Sequence, residues 1–146
     1  MRSESSANRT YRQIVNAWCL YDWGSSAFST TIEAAVLPVY FEQVVAASLP
    51  GNTATVYWGY TNAVALLLAL VLAPILGSIA DYTGGKKRFL AIFAGIGIVA
   101  TALMVLINTG AWLLALVLFM FGSIGLGASY VFYDALLPHV ARAEDI

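Results

Sequence analysis

From Phe89 to Tyr133 no residue carries a charge. A helix crosses the hydrocarbon of a bilayer in about 20 residues, because each residue rises about 1.5 Å and the core is roughly 30 Å thick. The uncharged run is more than twice that length, so it has to fold back on itself. Asn108-Thr109-Gly110 is the turn-forming cluster near its midpoint. The run therefore predicts two helices, about 89–108 and 111–133. Upstream, the uncharged residues between the Pro50-Gly51-Asn52 turn and Asp81 predict another, about 56–80. A first helix, about 14–41, is long enough to span although it carries Asp22 and Glu33.

The expectation is an all-α membrane protein with four transmembrane helices, residues 1–146 forming a single, incomplete transmembrane domain with a cytosolic loop at 81–88. Composition agrees: 60% of the residues are hydrophobic and 10% charged, against about 25% charged in soluble domains. One cysteine, Cys19, excludes an internal disulfide, and one histidine, His139, without neighbouring cysteines leaves a zinc or haem site without ligands. No catalytic residues, cofactor or nucleic-acid partner are expected, and the chain is read as not an enzyme. Its expected partners are the lipid bilayer and a small-molecule solute.

Charge placement sets the orientation. All seven Lys and Arg residues lie in the N-terminal tail, between Gly77 and Arg88, or after the last helix, and four crossings put those three segments on one side. Basic segments stay in the cytosol, so both termini are expected there, in a multi-pass integral membrane protein. Trp58 and Trp112 then fall at the outer ends of the second and fourth helices, where an indole suits the interface.

Asp22 and Glu33 are the candidate functional acids. At about 100° per residue they lie within about 20° of each other on one face of an α-helix, roughly 16 Å apart along its axis. Trp18, Ser26, Ser29 and Tyr40 fall near the same line. Ionisable groups inside a membrane cost a few kcal/mol and usually mark substrate or ion paths, which makes Asp22, Ser26 and Glu33 candidates for a substrate or proton pathway. The competing reading places Asp22 and Glu33 within reach of the two interfaces. Asn62 in the second helix is a candidate substrate contact or an interhelical hydrogen bond. Tyr130 and Asp134, one turn apart, form a candidate polar spot near the cytosolic mouth. The small residues Gly122, Ser123, Gly125, Gly127 and Ala128 are read as close helix packing.

Gly77, Ala80, Asp81, Gly84, Lys86 and Arg88, with Ile79 in place of leucine, resemble the signature between helices two and three of the major facilitator superfamily. Tyr82 and Gly85 stand where that signature often has basic residues. Ala17-Trp18-Cys19-Leu20-Tyr21-Asp22-Trp23-Gly24-Ser25-Ser26-Ala27-Phe28, Leu37-Pro38-Val39-Tyr40-Phe41 and Phe132-Tyr133-Asp134-Ala135-Leu136-Leu137-Pro138 are similar to its vacuole-effluxer-like branch, the autophagy-related amino-acid effluxers.

The resemblance implies a secondary active transporter of small solutes, such as amino acids, working by alternating access. It assigns these four helices to the first four of a twelve-helix fold, as an N-terminal fragment whose partners are the remaining helices. Helices one and four would line the central cavity, and Asp81 would latch the two halves from the cytosol. The plasma (inner) membrane is favoured over the vacuole.

Two other readings stay open: a complete four-helix exporter of the small multidrug type, disfavoured by the one-sided basic charge, and a non-transporting tetraspan interaction protein, disfavoured by the cost of the two acids.

The orientation predicts the outcome of a labelling experiment. In a Cys19→Ala background, Lys87→Cys should react with an impermeant maleimide only after cells are opened, whereas Thr109→Cys should react in intact cells. The opposite pattern would invert the topology.

Overall fold

In the computed structural model, which describes residues 2–140, every element is helical. The first rod, α1, is α-helical over Arg2–Ala27, π-helical over Phe28–Val36, α-helical over Leu37–Tyr40 and π-helical again over Phe41–Val45. It is longer than the predicted 14–41. The wide turns are visible in the backbone bonding, since the Leu37 N–H reaches Ile32 O and the Ala46 N–H reaches Phe41 O, each five residues back.

The sequence gives local reasons for the widening. Ser29 Oγ and Thr30 Oγ1 both donate to Ser26 O, at 3.2 and 2.7 Å, and such back-bonding bends helices. Pro38 brings no N–H and its ring crowds the preceding turn, which a wider turn relieves.

Helix α2 spans Thr53–Thr83 and contains Pro74. Helix α3 spans Lys86–Leu103 and runs into a 3₁₀ turn, Met104–Leu106. Helix α4 spans Trp112–Val140. The predicted loop at 81–88 contracts to Gly84-Gly85: Asp81 lies in the last turn of α2, and Lys86, Lys87 and Arg88 form the first turn of α3. Gly84 adopts φ 63°, a left-handed conformation that glycine takes without steric cost. One such residue reverses the chain, so the flanking polar residues stay helical.

Among the described residues, three helices are long and apolar enough to cross a membrane, over 53–82, 86–106 and 112–136. By that measure α1 is not a fourth, and its two acids and its hydroxyl-rich centre are the physical reason.

Helix α4 is the hub. Of its apolar stretch 44% is buried inside the protein, against 11% for α2 and 6% for α3. Its Gly125 meets α3 backbone to backbone: a Cβ built there would lie 2.7 Å from Gly97 N and 2.9 Å from Phe93 O. Gly127 approaches α2, where a Cβ would sit 3.6 Å from the Ala69 Cβ. The run of small residues thus packs against two neighbours at once.

Aromatic and aliphatic side chains close both ends. At one, Phe41, Val45, Ile107 and Leu116 are buried together, with Trp58 and Trp112 packed against them. Trp58 lies 4.3 Å from the Phe119 ring and 5.3 Å from Phe41. Its indole is therefore shared with a protein cluster, beyond the interfacial role expected from its position. The Gly110 N–H donates to Val45 O at 2.9 Å, tying the turn before α4 to the end of α1. At the other end, Phe132 is sandwiched near Phe89 and Phe93.

The Gly97–Gly125 contact makes a direct prediction. Gly125→Ala should lower the melting stability of the detergent-solubilised chain by about 1–3 kcal/mol, because backbone cannot yield to the new methyl. Gly95→Ala, where nothing lies within 4 Å, should be neutral, and equal effects at both sites would refute the close-packing account.

Candidate functional site: a polar seam between α1 and α4

Helices α1 and α4 run antiparallel, since contacts of α1 from Trp18 to Val45 meet the α4 side of the chain from Tyr133 back to Gly110. Four side-chain hydrogen bonds cross between them. Tyr133 OH donates to Trp18 O at 3.4 Å, Tyr21 OH to Ser129 Oγ at 2.5 Å, Tyr130 OH to Ser25 Oγ at 3.1 Å, and Ser123 Oγ to Glu33 Oε1 at 2.7 Å. Near the far end Tyr40 OH donates to Ile107 O at 3.3 Å. Stacking reinforces the near end, with the Tyr133 ring 3.7 Å from Trp18 and 4.9 Å from Tyr21 between centroids.

The bonding pattern separates satisfied hydroxyls from an incompletely bonded acid. Ser129, fully buried, passes its own hydrogen to Leu126 O at 2.7 Å. Ser25 Oγ passes its hydrogen to Tyr21 O at 2.9 Å. Both hydroxyl chains end on backbone carbonyls, so they hold the helices together and relay no proton. Glu33 differs. Its carboxylate has about four acceptor sites, and the described protein supplies one donor, Ser123. A half-buried acid so incompletely satisfied is costly in an apolar bundle.

Beside the seam lies a partly open cavity of about 510 Å³ between α1, α3 and α4. Its wall is mainly apolar, with Tyr21, Ser25, Thr101 and Ser129 supplying hydroxyls.

The candidate residues separate clearly. Glu33 and Tyr130 are brought into the seam. Ser26 is half-buried, and its carbonyl accepts from Ser29 and Thr30. Asp22 and Asp134 are exposed, and Asn62 is half-buried on α2. Tyr130 bonds Ser25 across the seam and not the acid one turn further along. In the signature between α2 and α3, Asp81 Oδ1 pairs with Lys86 Nζ at 2.7 Å across the Gly84-Gly85 turn, Arg88 is exposed, and Gly77 has no neighbour within 4 Å of a built Cβ.

The single line of acids expected on α1 is corrected by its helix type. A π-helix bonds i to i+5 and turns through roughly 82° per residue against about 100° for an α-helix. Over the six steps from Ala27 to Glu33 the deficit is about 110°. That rotation takes Glu33 off the line of Asp22 and onto the line of Tyr21 and Ser25. Sequence reasoning also missed Ser123 and Ser129 as partners. Ser123 had a signal, a hydroxyl stripe with Tyr130 and Tyr133 at seven- and three-residue spacing on one helical face.

With this geometry in hand, comparison with known proteins becomes informative. The family described as "Vacuole effluxer Atg22 like" matches residues 51–146. The chain belongs to the Atg22-like vacuole effluxer family. Three relatives agree. The uncharacterized MFS-type transporter YxiO of Bacillus subtilis (strain 168) is 40% identical over 126 residues, covering 86% of this chain and 29% of its own. Autophagy-related protein 22-1 of Phaeosphaeria nodorum is 35% identical over 79 residues, 54% of this chain and 14% of its own. Autophagy-related protein 22 of Coccidioides immitis is 33% identical over 93 residues, 64% of this chain and 15% of its own. The chain thus spans less than a third of the length of these curated relatives. No solved structure matches it. Membership of the Atg22-like family, with its major facilitator relatives, makes this a multi-pass integral membrane protein of a transporter family and not of an enzyme family.

The seam predicts a coupling energy. Bonds between membrane helices average about 0.6 kcal/mol and reach about 1.7. In a double-mutant cycle, Tyr21→Phe and Ser129→Ala should therefore be coupled by about 0.6–1.7 kcal/mol in unfolding free energy. Strict additivity of the two would mean that their hydrogen bond does not hold α1 to α4.

Proposed function

We propose that this chain supplies the first four membrane helices of a secondary transporter that moves small solutes, amino acids among them, by alternating access. In this reading α1 is the fourth crossing despite its acids, because Tyr21, Ser25 and Glu33 are bonded to α4. The observation that carries the proposal is the Glu33 carboxylate, bonded to Ser123 in the seam between α1 and α4. An interaction scaffold has no use for that cost; a solute path does.

Roles follow from the contacts. Glu33 binds the solute's polar group or a coupling proton. Tyr21, Ser25, Ser129 and Tyr130 hold α1 against α4. Asp22 and Asp134, both exposed, form the acidic entrance, and Asn62, half-buried on α2, is a further solute contact. The signature residues Gly77, Asp81, Gly84, Lys86 and Arg88 hold the α2–α3 turn at the cytosolic face, with both termini on that side. The bacterial relative, matched over more of this chain than the fungal ones, supports the plasma membrane as its location.

The test is transport by the protein produced from the reading frame that encodes this chain, reconstituted in vesicles with a panel of radiolabelled amino acids. Glu33→Gln keeps the acceptor for Ser123 but removes the charge, and should slow exchange at least about tenfold while leaving insertion intact. Full activity in that variant would remove Glu33 from the solute path, and inactivity of the wild type toward the whole panel would exclude amino acids as cargo.

A further inference from the structure

A π-helical stretch holds roughly one residue's worth of rotation more slackly than an α-helix does, and in α1 that slack lies under the acid of the seam. On the Trp18 side the rod is clamped to α4 by Tyr21 and Ser25, and on the other by buried Phe41 and Val45 and the Val45–Gly110 bond. Between the clamps, no residue of Phe28–Val36 is fully buried. The short α-helical piece Leu37–Tyr40 then separates this π stretch from the next. Fixed ends and a loosely packed middle allow the wide turns to move along the rod without either end turning.

Resting on the transporter reading above, we propose that Phe28–Val36 is a register switch, in which its wide turns migrate toward Leu37–Tyr40 and exchange Glu33 for Ile32 opposite Ser123. Rewinding the six steps from Ala27 as α-helix advances Glu33 by about 110°, to within about 20° of the line of Asp22. Ile32, one residue earlier, arrives within about 10° of the place that Glu33 leaves. Each register keeps the backbone bonded, so the two differ mainly in what faces α4. One presents a carboxylate to Ser123 and the other an aliphatic side chain, which changes the polarity of the seam at that level. Such one-residue shifts are discrete, as switching elements in packed structures have to be.

Cross-linking reads the register directly. In Cys19→Ala chains in native membranes, the pairs Glu33→Cys with Ser123→Cys and Ile32→Cys with Ser123→Cys are oxidised in parallel. Disulfide formation by both pairs, with the Glu33 pair ahead, is expected; linking confined to the Glu33 pair overturns the switch. A second variant tests its use. Deleting Thr31 removes the extra residue, so an all-α rod keeps Glu33 opposite Ser123 with no slack to move. The deletion should abolish amino-acid exchange in reconstituted vesicles while membrane insertion persists. Exchange at the wild-type rate would make the π stretch a fixed register correction. If the wild type moves no amino acid, the transport reading fails on its own, and the cross-linking still decides whether two registers exist.

Discussion

A bilayer offers no hydrogen-bond partner, so each polar group in its interior has to find one in the protein. In this chain that requirement falls on α4. One side of α4 is stripped to glycine, which lets the α3 backbone come close enough that a methyl at Gly125 would overlap Gly97. The same helix carries the hydroxyls that receive or satisfy α1, with Ser129 one turn from Gly125 and Ser123 and Tyr130 further round. The two are mutually dependent: a bulkier α3 contact would push α4 outward, and the hydroxyl ladder, whose bonds are 2.5–3.4 Å long, has little tolerance for displacement. Close packing at Gly125 thereby sets the depth at which α4 presents its hydroxyls to α1.

Much of the framework was readable before any coordinates. Uncharged length demanded a turn near Asn108, and the chain turns there, with Gly110 at φ 89°. The glycine-rich signature points to the superfamily and to the reversal between α2 and α3, and the motifs of the first and fourth helices point to the effluxer family. Loop length was overestimated because polarity was taken as a sign of irregular backbone, whereas Asp81 and Lys86 to Arg88 sit in helical turns on either side of two glycines.

The site was less legible, for a geometric reason. Placing Asp22 and Glu33 on one face assumed α-helical winding, and no composition rule signals that Phe28–Val36 is wound more loosely. The serines and threonines that favour the widening were visible, but as a polar stripe and not as a change in pitch. Ser123 was hidden differently: among glycines and alanines it reads as one more small residue, and only the partner across the seam reveals its hydroxyl as the relevant group.

The first turn of α3 shows local preference and global placement in conflict. Cations are disfavoured at a helix N-terminus, where the macrodipole is positive, yet Lys86, Lys87 and Arg88 occupy it with no acid in the same turn. Asp81, from the end of α2, offsets part of that cost through its pair with Lys86, although Asp81 is 69% exposed and such pairs contribute about 0–1 kcal/mol. Helix stability alone would select acids here. What basic residues gain instead, beside an anionic lipid surface, is about 1 kcal/mol per charge. The dipole costs each of the three charges about 0.3–1 kcal/mol, no more than such a surface returns, so a turn beside lipid headgroups tolerates cations that helix electrostatics alone would exclude.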